Sequence, residues 1–356
     1  MSGTAPATGR HVVLRADASA SVGTGHLVRS RTLAEALIAR GWRATVAARD
    51  LPDALADGLA RAGIAMLPLS GDSIENEPAE IAARTGNAVE LVVGDHYDLD
   101  ADWFAGMRRN LPGAALMAID DLTDRPLPVD LVLNQNLGAS AAAYATLVAP
   151  EARILTGPAF ALLRPEFATL RARGRTRDGT VDRILIFFSG ADAPDVTSRA
   201  VVGVREIGCQ VDVVVGAAYP YLNGLQEIVA GPPGARLHVN TAAMAELMDG
   251  ADLAIGAASS ASWERCALGL PALLVTLADN QVVAERLLVE AGAAETLGWH
   301  DAVTAADIER AVRALRADPG RVAAMASAAA NVTDGHGTER VVTEIEAMLA
   351  TKVEAR

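Results

Sequence analysis

The segment His11-Val12-Val13-Leu14-Arg15-Ala16-Asp17, followed after a short turn by Gly23-Thr24-Gly25-His26-Leu27, decides how the chain is read. The segment His11–Arg15, with apolar Val12, Val13 and Leu14 at its centre, suits a buried strand. The glycines then permit a tight turn, and Leu27, Leu33, Ala34, Leu37 and Ile38 mark one face of a helix. Arg29, Arg31, Glu35 and Arg40 fall largely off that face, and Gly41 stops the helix. Strand, glycine turn and helix in this order open a βαβ unit.

The same alternation continues outward. Further strands are expected at Ala44–Ala48, Ile64–Leu67, Leu91–Gly94, Ala115–Ile119 and Leu131–Leu133. A second series begins near Arg183, with strands at Ile184–Phe188, Val211–Val215, Arg236–Val239, Leu253–Ile255 and Ala272–Val275. Between the series, Arg171–Asp182 is polar and rich in Gly, Arg and Thr, which reads as a linker with little to bury. Ala305–Leu315 and Glu339–Leu349 read as helices. The domain reading is therefore 10–170, 183–335, and a C-terminal helical segment 336–356 that packs back on the first domain. The fold class is α/β, two open parallel sheets in tandem. Ligands of such sheets sit beyond the carboxyl ends of the strands, so a cleft between the domains is expected to hold the site.

Bulk properties narrow the function. The 356 residues are 51% apolar but only 4% aromatic, so Ala, Val and Leu must fill the cores. The net charge of −13 argues against a nucleic-acid surface, which needs a basic face to displace counterions. Lys352 is the sole lysine. An acidic chain that handles a nucleotide must meet its phosphates with local devices such as helix N-termini and backbone amides. The N-terminus lacks a signal-peptide pattern, and no apolar run is long enough to span a membrane. Cys209 and Cys266 have no ligand-like spacing, and with these features they point to a reduced, cytoplasmic protein.

Chemistry is expected at strand ends. His26 falls in the first turn of the first helix, a place unfavourable to cations and suited to a general base; a hydrogen-bonded cap is the plain alternative. Arg15 and Asp17 lie at the end of the first strand, where Asp17 is placed to orient His26 or to bind a sugar hydroxyl. Asp95-His96-Tyr97 ends another strand, and Tyr97 offers a stacking face and a hydroxyl. Asp120-Asp121 is a weak metal signal with no third ligand at hand. In the second half, Ser189-Gly190-Ala191-Asp192 and Gly256–Ser262 are small-residue turns before helices, suited to a phosphate. Glu264 is placed for vicinal ribose hydroxyls or for the helix dipole, and Asp279-Asn280-Gln281 for a ligand or a helix cap. His11, His238, His300 and His336 have no partners at ligand spacing. No metal cluster, and no cofactor, is called for.

Seven ordered segments resemble the PseG/SpsG family of UDP-2,4-diacetamido-2,4,6-trideoxy-β-L-altropyranose hydrolases. They are Arg15-Ala16-Asp17 with Gly23-Thr24-Gly25-His26 and Arg29; Asp95-His96-Tyr97; Ala118–Leu122; Gly157-Pro158 with Leu163–Phe167; Gly190-Ala191-Asp192; Ala243–Met248 through Trp263-Glu264-Arg265-Cys266 and Leu268–Pro271; and Ala278–Gln281. The resemblance runs from about Val12 to Val341. It implies a GT-B fold, two Rossmann-like domains facing each other across a cleft, and metal-independent, inverting hydrolysis of a UDP-sugar. His26 would activate water, with Asp17 and Tyr97 placing sugar and water and Arg15, Gly23 and Gly25 lining the sugar side. UDP would lie on the second domain: uracil near the Met244 backbone, ribose on Glu264, diphosphate on Ser189, Gly190, Ser259, Ser260 and Ser262, with Asn280 and Gln281 nearby. Ala257–Ser262 is poorer in glycine than the family's usual turn, which bears on the sugar accepted. A glycosyltransferase of the same fold, with an acceptor hydroxyl in place of water, is the alternative. A non-catalytic binder would have lost His26, and a dinucleotide oxidoreductase would carry the full glycine fingerprint.

Overall fold

The computed structural model describes residues 9–18, 25–49, 51–70, 73–190, 192–231 and 234–354. Contacts divide the chain into two units, Met1–Leu162 with Gly337–Arg356, and Leu163–His336.

The first unit holds seven parallel strands: β1 (His11–Ala16), β2 (Arg43–Ala48), β3 (Ala65–Pro68), β4 (Leu91–Asp95), β5 (Ala115–Ile119), β6 (Leu131–Asn134) and β7 (Arg153–Thr156). Their order is β3-β2-β1-β4-β5-β6-β7, with Arg15 registered against Gly94 and Ala16 against Asp95. Both faces are covered. Val12 and Leu14 of β1 enter one core layer with Leu33 and Leu37, while Val13 enters the opposite layer with Trp103 and Phe104. That alternation is the two-residue period of a strand buried on both sides. The helix Gly337–Glu354 contributes Val341, Ile345 and Met348 to the first layer, and Arg153 Nη1 bonds its Glu344 Oε2 at 2.7 Å.

The second unit has six parallel strands: β8 (Arg183–Phe187), β9 (Gln210–Val215), β10 (Ala235–Val239), β11 (Leu253–Gly256), β12 (Ala272–Thr276) and β13 (Ala294–Trp299). The order is β10-β9-β8-β11-β12-β13. Ile184, Val213, Leu253 and Leu273 meet Val201 and Ile308 in its core.

Strands β7 and β13, at sheet edges, escape the sequence reading, whereas the other two edge strands, β3 and β10, are read from it. Their residues are only partly buried, so they mix polar and apolar side chains and lack an apolar run. The segment Arg171–Asp182 also departs from expectation, for it is strapped down rather than a free linker. Arg177 donates to the carbonyls of Met248, Asp249, Ala251 and Leu268, Arg175 to Ala251, and Arg171 to Ala267, Ala330 and Thr333. Those carbonyls end the helices Met244–Gly250, Ala261–Ala267 and Pro319–Val332. Helix C-termini leave acceptors unsatisfied and carry negative dipole ends, so arginines bind there and a polar segment becomes ordered.

Candidate active site

Parallel strands point their carboxyl ends the same way, so β1, β2 and β4 deliver their following residues to one edge of the first sheet. His26 reaches that edge from the first turn of the helix Gly25–Ala39, whose first residue is Gly25. Gly23, Ser19 and the rest of residues 19–24 lie outside the described residues.

His26 is buried, and its Nδ1 lies 2.6 Å from Oδ1 of Asp95, the last residue of β4. An ionised carboxylate only accepts, so Nδ1–H donates, and the lone pair of a neutral ring is left on Nε2. The carboxylate is fully buried. Arg29, one turn along the same helix, donates Nε to Oδ2 at 2.8 Å and Nη2 to Oδ1 at 2.6 Å, and Ser30 Oγ donates to Oδ2 at 3.0 Å. Burial raises the Asp95 pKa, but the Arg29 charge and the hydrogen bonds from Arg29 and His26 outweigh it and hold it at about 2. Arg29 continues to Asp121 Oδ1 at 2.9 Å, which Asn136 also bonds at 2.8 Å. Tyr97 packs edge-on against the imidazole, centroids 4.7 Å apart.

Asp17 occupies a neighbouring cluster. Its Oδ1 accepts from Arg49 N at 2.8 Å and lies 2.7 Å from Arg15 Nη1, while Oδ2 is 3.6 Å from His96 Nε2. The fully buried Arg15 makes a two-point bond to Glu77, at 2.8 and 2.7 Å, and Trp103 Nε1 donates to the same carboxylate at 3.0 Å. Burial, and then the Arg15 charge, lower the His96 pKa, and its Nδ1 accepts from Asp98 N at 3.1 Å.

The orienting role proposed for Asp17 therefore belongs to Asp95, because Asp17 is committed to two arginines. Arg29 and Asp95 were both visible as motif members. Their pairing was not, since 66 positions separate them and only the β1–β4 adjacency brings them together. Asp120 turns to Tyr144 Oη, 2.6 Å away, and to Arg125. Among the described residues no group of three or more His, Cys, Asp or Glu is arranged to hold a metal ion.

In the second unit, the loops after β8, β10, β11 and β12 likewise share one edge of their sheet. After β8, Gly190 O accepts from Gly216 N at 3.0 Å; a Cβ on Gly216 would sit 2.4 Å from that oxygen, so this approach needs glycine. The Ser189 hydroxyl accepts from Asp192 N at 2.7 Å, and the Asp192 carboxylate takes both the amide and the hydroxyl of Thr197, at 2.7 and 2.6 Å. Asp192 thus braces the helix Val196–Val204, and Ala191 lies outside the described residues. Met244 opens the helix Met244–Gly250 after β10.

After β11, the expected amide donors are partly spent. Ser259 N donates to Ala257 O at 3.0 Å and Ser262 N to Ser259 O at 2.8 Å, while Ser260 is exposed. Ser262 is buried, and its Oγ accepts from Arg265 Nη2 at 2.9 Å. Its hydroxyl faces the interior, held by a buried guanidinium. Glu264 is half-buried, 3.7 Å from Arg164, and burial raises its pKa against the partial relief of Arg164 and Arg265. After β12, Asn280 is exposed, while Gln281 Oε1 closes its own turn by accepting from Leu277 N at 2.9 Å.

Residues 238–341 match the model of the glycosyltransferase family 28 C-terminal domain. The chain is 23% identical over 261 residues to the UDP-2,4-diacetamido-2,4,6-trideoxy-β-L-altropyranose hydrolase of Campylobacter jejuni, covering 70% of this chain and 85% of that protein. It is 26% identical over 155 residues to the spore coat polysaccharide biosynthesis protein SpsG of Bacillus subtilis, covering 42% of this chain and 45% of that one, so the match spans under half of SpsG. Among solved structures, MurG of Acinetobacter baumannii superposes with a TM-score of 0.64 at 16% identity, over 95% of this chain and 99% of that one. The calicheamicin glycosyltransferase CalG4 gives 0.62 at 16% identity, over 96% and 99%. Together with two parallel-sheet units in tandem, these likenesses show the GT-B fold.

Proposed function

For a chain that belongs to a PseG/SpsG-like family, we propose metal-independent hydrolysis of a UDP-linked diacetamido-trideoxy sugar, with His26 as general base. The observation that carries the reading is the His26–Asp95 pair, which directs a basic Nε2 away from the carboxylate in a buried setting. Nε2 takes a proton from water as the water oxygen bonds the anomeric carbon. The bond from that carbon to the diphosphate oxygen breaks, its electron pair leaves with UDP, and attack from the opposite face inverts the centre. Tyr97, against the imidazole, and Asp17, in the adjoining cluster, are assigned to placing sugar and water, with Gly25 beside them; the fully buried Arg15, bonded to Glu77, holds Asp17 instead of meeting the sugar.

The second unit is assigned the nucleotide: ribose on Glu264, uracil at the Met244 backbone, and diphosphate on the turns carrying Ser189, Gly190, Ser259 and Ser260, with Asn280 and Gln281 nearby. Diphosphate is already a good leaving group, so the protein need supply only a base and stabilisation of the departing charge. A positioned base contributes about 10²–10⁴-fold.

The test is incubation of the protein with UDP-2,4-diacetamido-2,4,6-trideoxy-β-L-altropyranose and no acceptor, beside His26→Ala. Release of UDP and free sugar by the wild type, reduced at least about 10²-fold in the variant, is the expected result. UDP binding without release would sink the hydrolytic reading and turn attention to transfer onto an acceptor hydroxyl.

A further inference from the structure

Arg265 is buried to 3% exposure at the base of the turn after β11. Its Nη2 donates to Ala257 O at 2.9 Å and to Ser262 Oγ at 2.9 Å, so one guanidinium ties together the two ends of the segment Ala257–Ser262. Gly256 makes the approach possible. A Cβ there would stand 3.2 Å from Arg265 Nη1 and 2.3 Å from Phe187 O.

What this arginine lacks is a counter-ion. Among the described residues no carboxylate forms an ion pair with it, whereas both other buried arginines have one: Arg15 with Glu77, Arg29 with Asp95. Its neighbour Glu264 pairs instead with Arg164. A guanidinium removed from water without a direct ion pair is costly; Glu264 attracts Arg265 from a distance, but burial outweighs that attraction and lowers the Arg265 pKa. An isosteric apolar residue would pack a turn of small residues at no such cost. The retained charge is explained if an anion sits on the other side of that turn when the protein is at work.

We infer that Arg265 is a positioning residue for an anionic ligand: a buried cation that braces the turn Ala257–Ser262 from beneath and supplies the field that favours a nucleoside diphosphate on its outer face. The inference rests on the functional reading above and adds to it the residue that distinguishes diphosphate from bare nucleoside. The guanidinium does not touch the ligand. It acts through the turn Ala257–Ser262, of which Ala257, Ala258, Ala261 and Ser262 are buried, so its charge is weakly screened there. Its effect therefore scales with ligand charge and survives in Arg265→Lys, which keeps the charge but not the two-point grip of Nη2, whereas a purely structural brace would be lost equally in Arg265→Gln and Arg265→Lys.

The experiment measures UDP and uridine binding to the full chain by calorimetry, for wild type, Arg265→Gln and Arg265→Lys, with thermal melts to check folding. Expected are a wild-type preference for UDP over uridine of at least about 100-fold, and a loss of about tenfold or more in UDP affinity in Arg265→Gln with uridine held within about twofold. Arg265→Lys keeps the charge and should retain UDP affinity within about threefold. Parallel losses of UDP and uridine in either variant, equal losses of UDP affinity in Arg265→Gln and Arg265→Lys, an unchanged UDP affinity in Arg265→Gln, or a wild-type preference near unity would overturn the inference. If Arg265→Gln does not fold, the wild-type preference and Arg265→Lys decide. A wild type that binds no UDP at all removes the functional reading itself, an outcome distinct from the others.

Discussion

The Asp95 carboxylate is shared between His26, whose Nδ1 lies 2.6 Å from Oδ1, and Arg29, which grips both oxygens. One acid thereby orients the candidate base and neutralises a buried guanidinium that sits on the same helix, three residues away.

Replacing the acid should separate these duties from each other. Asp95→Asn keeps the shape but leaves Arg29 with only Asp121 as a charge partner. A turnover loss of about 10²–10⁴-fold is expected from misdirected imidazole, with a stability loss of about 3 kcal/mol from the under-compensated arginine. Steady-state kinetics and urea unfolding on the same samples check both. Intact turnover would remove Asp95 from the mechanism.

Acid should reveal the same carboxylate in the wild type. Asp95 is held at about 2 in the folded chain against an ordinary 3.8, so the unfolded chain binds the proton more readily. Stability from this group, about 2 kcal/mol, is full above about pH 4 and lost as pH falls towards 2. Unfolding free energies measured across that window should fall more steeply for wild type than for Asp95→Asn. Equal slopes would contradict the assignment.

Glu264 should show the opposite sign. Its pKa is raised by burial, so the ionised form weakens the fold, and the associated stability is lost as pH rises through the folded value. At pH 7, Glu264→Gln is expected to melt no lower than wild type while binding UDP about tenfold more weakly, the cost of one charge-assisted hydrogen bond. A variant that melts lower with UDP affinity intact would make Glu264 structural.

The arginine strap offers a test away from the site. Arg177→Met removes donors from four carbonyls at helix ends and is expected to cost about 2 kcal/mol. Denaturant midpoints should drop while the KM for the nucleotide sugar stays within about twofold; an unchanged midpoint would show the strap to be superficial.

Much of this protein could be read from residue order alone. The apolar runs at β1, β4 and β5, buried on both faces, leave a continuous hydrophobic signal, and Gly25, directly before His26, opens the helix. Those signals are local, as are the small-residue turns at the strand ends of the second half. The edge strands β7 and β13 gave no such run, because half-exposed strands mix polarity. Arg171–Asp182 was misjudged for a related reason: its partners are carbonyls, which side-chain composition does not register.

The sequence by itself determined the α/β class, the tandem sheets and the residue types gathered at strand ends, since periodicity and turn chemistry act over a few positions. Only the tertiary structure decided which groups pair. Asp95 rather than Asp17 holds His26 because β1 and β4 are neighbours, so the end of β4 meets the helix that follows β1. Ser262 turns inward because a buried Arg265 needs its hydroxyl. Pairing of this kind is set by which strands lie side by side and by which charges must be satisfied out of water, and both are properties of the folded chain.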